Sequence, residues 1–181
     1  MSFVRVKRIS RGEYAYLVTN SWTGKGARQK VASYLGRVMR PERAKNEGLG
    51  AFLGLADEKA IAGWISKSSF REIAEALIRL ELSNYNASCK LDAEKGELLD
   101  GKGKPVVAAL NDGFLCSYTA KKLLEYDAAA DYSGYNLADA LTAAGIAAEK
   151  GVFIMLFAKA QATGGKGRED EEKKLFKDFY Y

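Results

Sequence analysis

Three runs of β-branched and aromatic residues, Phe3–Ile9, Tyr14–Trp22 and Ala27–Leu35, follow one another at the start of the chain with only short glycine-containing turns between them. Connections this short leave one arrangement open, because parallel strands need a crossover of about a dozen residues or more. The chain is therefore expected to begin as a three-stranded antiparallel meander that ends at Gly36. Side chains alternate across a strand. Val4 and Val6 thus fall opposite Arg5 and Lys7, Ala15 and Leu17 opposite Tyr14 and Tyr16, and Val31 and Leu35 opposite Arg28, Lys30 and Tyr34. One face is expected to be aliphatic and to pack on the rest of the protein, the other to interleave cations with tyrosines. How the faces line up depends on register, which alternation alone does not set.

Charge is distributed as unevenly as the strand signals. Up to Lys45 eleven Lys and Arg residues stand against two acids, Glu13 and Glu42, a formal +9, whereas the chain from Asn46 onward carries a formal −4. The net +5 thus combines a basic head with a mildly acidic body, an asymmetry that points to a polyanionic partner. Domains are expected at 1–45, a basic β-meander, and 46–181, a mixed body reached through a linker containing Pro41 and residues Asn46–Gly50.

Histidine is absent from all 181 residues. That excludes His-based triads, His-paired thiols and His-containing zinc sites, and the two cysteines, Cys89 and Cys116, are too few for a structural zinc. Both read as small buried hydrophobes that could pair only across neighbouring strands. No basic leader with a small-residue cleavage site opens the chain, and the longest apolar run, Val152–Ala158, is far short of the roughly 20 residues of a membrane span. A cytoplasmic protein is expected, nucleoid- or ribosome-associated, with no membrane partner.

In the body, Leu55–Ile65 reads as a short helix, and Ser69 with Glu72 three residues on is a capping-box pattern opening a stronger one along Ile73, Leu77, Ile78 and Leu80. Cys89–Leu91, Glu97–Leu99, Val106–Leu110 and Phe114–Tyr118 are expected strands forming a second antiparallel sheet. Helices are expected at Thr119–Tyr126, Leu137–Ala144 and, beyond the Gly164–Gly167 break, Glu169–Phe179, while Val152–Ala158 reads as a buried strand or helix. The fold class is α+β.

Two glycine-rich stretches resemble nucleotide loops without satisfying them. Gly96–Gly103 lacks the Ser or Thr that would ligate magnesium, holds two acids, and precedes a strand; Gly48–Gly54 is off by one from the dinucleotide spacing and follows no strand. No cofactor is expected. Asp92 ends a strand before a hairpin, where an RNase H-like core places a carboxylate. Asp100, Asp112, Asp127, Asp131 and Asp139 could join it around metal ions, but they occupy turn and cap positions where Asp serves local hydrogen bonding. Trp22 reads either as a stacking residue or as a lid on the aliphatic face, Trp64 as core, and the terminal Phe176, Phe179, Tyr180 and Tyr181 as a docking element for the body or a second copy.

The motifs Tyr14-Ala15-Tyr16-Leu17-Val18, Gly26-Ala27-Arg28-Gln29-Lys30-Val31 and Tyr34-Leu35-Gly36-Arg37 resemble the N-terminal piece of DDE-class insertion-sequence transposases, and of a group of small archaeal proteins that open alike. The likeness covers about residues 3–37. In those transposases the piece precedes a much longer catalytic domain, so it implies a DNA-binding or formerly mobile module without the transposase chemistry. The expected function is non-enzymatic nucleic-acid binding, DNA over RNA. Arg5, Lys7, Arg28, Lys30 and Arg37 are assigned to phosphates, Tyr14, Tyr16 and Tyr34 to stacking, and Gln29 to a base edge. The body would serve as a homodimer or partner platform. Two other readings are a nuclease remnant centred on Asp92 and an adaptor for an acidic protein.

Overall fold

The computed structural model describes residues 2–24, 26–127 and 134–162. The three N-terminal runs form β1 (Ser2–Ile9), β2 (Gly12–Thr23) and β3 (Gly26–Met39). An irregular stretch then leads to α1 (Leu49–Phe52), α2 (Glu58–Lys67) and α3 (Phe70–Asn84). Two hairpins follow, β4 (Cys89–Asp92) with β5 (Glu97–Asp100) and β6 (Val106–Leu110) with β7 (Gly113–Leu115). The described chain ends with α4 (Ser117–Leu124), α5 (Tyr135–Ala144) and α6 (150–162).

Local chemistry explains most boundaries. The Asp57 carboxylate accepts the Ala60 amide at 2.8 Å to start α2, and Ser69 and Glu72 cap α3 reciprocally. Val152, Leu156 and Ala160 are buried at a spacing of four, so 150–162 is helical rather than extended. The run expected as a strand through Tyr118 turns into α4 at Ser117 because the Thr119 hydroxyl takes up the Cys116 amide, closing a cap. The helix expected at Glu169–Phe179 and the aromatic tail lie outside the described residues.

One expectation about the sheet needs correcting. Gly36 does not end β3: the strand continues through it at φ +138°, and Arg37, Val38 and Met39 pair in parallel with Val106, Val107 and Ala108. A Cβ on Gly36 would lie 2.5 Å from the Pro105 carbonyl oxygen, so the absent side chain is what admits the neighbouring backbone. The result is one five-stranded sheet in the order β1-β2-β3-β6-β7. The second antiparallel sheet is reduced to β4–β5, since β3 has taken up the β6–β7 hairpin. Segments 1–45 and 46–181 therefore share a sheet.

The sheet separates two cores by simple alternation. Met39, Val106, Ala108, Leu110 and Leu115 pack with α3, α4, α5 and α6 in the larger core. Val38, Val107, Ala109 and Phe114 point the other way, joining Val4, Val6, Ala15, Leu17 and Leu35 in a smaller one. The aliphatic side of the meander is thus packed through Val4, Val6, Ala15, Leu17 and Leu35, whereas Val31, expected among them, pairs with Val18 on the other face and is 47% exposed. Cys89 and Cys116 are both free and buried, and burial pushes the Cys89 thiol up to about 11. Trp64 packs against the larger core. No helix among the described residues is long and apolar enough to cross a membrane.

A buried polar network ties the irregular stretch down. Glu81 is only 1% exposed; one carboxylate oxygen accepts the Ala147 amide at 2.9 Å, and the other lies 3.8 Å from the Arg43 guanidinium. The guanidinium also sits over the Tyr85 ring, whose hydroxyl donates to the Asn111 side chain at 2.8 Å. Asn84 exchanges hydrogen bonds with the Glu47 backbone, completing the attachment of this stretch to α3.

Candidate nucleic-acid interface

Cross-strand partners share a face of the sheet, so the register decides which of the expected site residues meet. Lys7 pairs with Tyr14, and Tyr14 with Arg37; two residues further along, Arg5 pairs with Tyr16, and Tyr16 with Tyr34. Two parallel rows of cation and phenol therefore cross the three strands on one face. The rings touch: Tyr34 lies 5.6 Å from Tyr16 and 6.5 Å from Tyr14, centroid to centroid, and the Lys7 ammonium is 5.4 Å from the Tyr16 ring. Arg5, Lys7 and Arg37 are exposed, and Tyr34 is 54% exposed.

This face is the same side of the sheet as Val106 and Ala108, because Arg37 pairs with Val106. The larger core covers that side over β6 and β7. The rows of cations and phenols occupy its continuation across β1–β3.

Two β-bulges settle the remainder. The pairing of β3 skips Leu35 and then Ala32, and each skipped residue inverts the alternation. The first brings Arg37 onto the tyrosine face. The second brings Gln29 there as well, where its side-chain oxygen accepts from the Arg5 guanidinium. The same inversion removes Arg28 and Lys30, which pair with Ser21 and Thr19 and fall on the opposite side; the Thr19 hydroxyl there meets Ser2. Their expected place among the tyrosines is therefore corrected. Trp22 shares the parity of Asn20, Gln29's partner, and is 86% exposed, so it stands at the far end of the tyrosine face and is no lid on the aliphatic one.

Charge on this face is little compensated. Glu13, the one acid between residues 2 and 39, is held at 2.7 Å by Arg40. Burial among its neighbours, then the phenols of Tyr14 and Tyr16, keep the Tyr34 hydroxyl above its ordinary value against the opposing pull of Arg37. It stays a neutral hydrogen-bond donor at physiological pH.

Residue-by-residue reading missed two contributors, Lys102 and Lys104. They lie on the turn between β5 and β6, which closes over itself as the Asp100 carboxylate accepts the Lys102 and Lys104 amides at 2.8 Å each, holding Asp100 below the usual carboxylate range. Docking of Pro105 against Gly36 sets this turn beside Tyr34 and Arg37, and a cleft of about 580 Å³ opens between them. No local pattern marks these lysines; only the parallel pairing of β3 with β6 brings them near.

The alternative sites do not assemble among the described residues. Asp92 accepts the Lys95 amide at 3.1 Å and caps its own hairpin turn, and Asp139 pairs with Lys122 at 3.0 Å. No three His, Cys, Asp or Glu side chains gather there as a metal site would need, and Asp131 lies outside those residues. The Gly96–Gly103 stretch is β5 and its turn, followed by a strand rather than a phosphate-capping helix. Against known proteins, the chain matches no family model, no curated protein and no solved structure.

Proposed function

We propose that this protein is a non-enzymatic nucleic-acid-binding protein that grips its ligand with the tyrosine-bearing face of β1–β3. The supporting observation is the pair of rows Lys7–Tyr14–Arg37 and Arg5–Tyr16–Tyr34. Cations there neutralise phosphates while the rings offer faces for bases, the two chemistries that single-stranded binders combine. Gln29, which lies on the same face beside Arg5, is the candidate for a base edge. DNA is favoured over RNA through the likeness of residues 3–37 to transposase N-termini. A cytoplasmic setting suits two free thiols kept reduced, and the body is left as the surface for a second copy or a partner.

A titration of labelled oligonucleotide tests this against the adaptor and nuclease readings. Arg5→Ala, Lys7→Ala and Arg37→Ala combined should weaken binding and flatten the plot of log affinity against log salt by about 2, from three released counterions on a single strand. Arg28→Ala with Lys30→Ala should have the smaller effect. An adaptor for an acidic protein would bind no oligonucleotide at low salt, and a nuclease would degrade it when magnesium is added.

A further inference from the structure

The cleft between β3 and the β5–β6 turn is lined by Tyr34 and Arg37 from β3 and by Asp100, Lys102, Lys104 and Pro105 from the turn. Three cations thus face one carboxylate, and that carboxylate is already engaged by the amides of its own turn. Tyr34 and Arg37 belong to the rows of the tyrosine face as well, so the cleft is continuous with that face. Its volume of about 580 Å³ falls within the range that accepts a ligand the size of a nucleotide, and a base stacked inside a duplex has no free face to offer Tyr34.

We infer that this cleft is a single-strand-specific subsite, in which one nucleotide of a single-stranded nucleic acid seats its base against Tyr34 and its flanking phosphates between Arg37 and the Lys102–Lys104 turn. This rests on the nucleic-acid reading of the sheet and adds to it the strand state of the ligand and two residues from the body. It also gives the parallel junction between β3 and β6 a role: it brings the turn to the site. Gly36 is part of the device, since its missing Cβ is what lets Pro105 and the turn close on β3.

The test uses the full chain, with labelled oligothymidylate, oligouridylate of equal length, and a mixed-sequence duplex as probes. The parent should hold both single strands at least about tenfold more tightly than duplex, the worth of one stacked base. Lys102→Ala with Lys104→Ala changes two exposed side chains. It should weaken single-strand binding, flatten its salt slope by about 1.4, and narrow the preference over duplex. A double variant that keeps the parental affinity and slope overturns the inference while leaving the sheet face standing, as does a parent that binds duplex as well as single strands. A parent that binds none of the probes fails the proposed function itself, and the cleft with it.

Discussion

Tyr34 is the residue on which the proposed interface turns. It contacts both other phenols, closes the second row across the strands, and lines the cleft beside the β5–β6 turn. Its hydroxyl is protonated well past neutral pH, so the ring rather than a charge is what it offers. Tyr34→Ala should therefore weaken single-strand affinity by about 1–3 kcal/mol, while Tyr34→Phe, which keeps the ring, should stay close to the parent in a fluorescence-anisotropy titration. Equal losses in the two variants would mean that the hydroxyl, not stacking, carries the contact. Glu81 is the corresponding residue for stability. Removing its carboxylate takes the ion partner from the exposed Arg43 guanidinium and the acceptor from the Ala147 amide, and empties a position that is only 1% exposed. Glu81→Ala should cost about 2 kcal/mol in urea denaturation.

At the scale of elements, β3 shows what a one-dimensional pattern can and cannot carry. The three strands, the capping box of α3 and the hairpin turns were legible because each depends on residues within a few positions of one another. The face assignments of Arg28, Lys30 and Gln29 were not, because two bulges in β3 invert the alternation and bulge positions are fixed by pairing with β2. Gly36 misled for a related reason. A glycine after a strand usually marks a turn, but here it marks a close approach to Pro105, a contact 69 positions away in sequence. The lysines of the β5–β6 turn were hidden by the same distance. Gly36→Ala should lower stability by about 1–3 kcal/mol through its left-handed backbone conformation alone. It should also displace the turn, so a urea melt and a single-strand titration should both shift. A variant as stable as the parent would mean that β3 and β6 separate without cost.

Over the whole molecule, the two segments that the charge asymmetry set apart are joined through one sheet. The helices cover one half of a sheet face and the basic meander presents the other, so the packed core and the candidate binding surface are successive parts of the same layer. This explains how a strongly basic head can be carried without its own complete core: its aliphatic side is finished by Val107, Phe114 and Cys116 from the body. The most direct measurement is photo-crosslinking of a single-stranded oligonucleotide to the intact protein, with the adducts mapped by mass spectrometry. Adducts should fall on Tyr14, Tyr16, Tyr34 or Trp22, all on one face of β1–β3. Adducts confined to the side bearing Arg28 and Lys30, or none at all under conditions where a known single-strand binder reacts, would contradict the assignment.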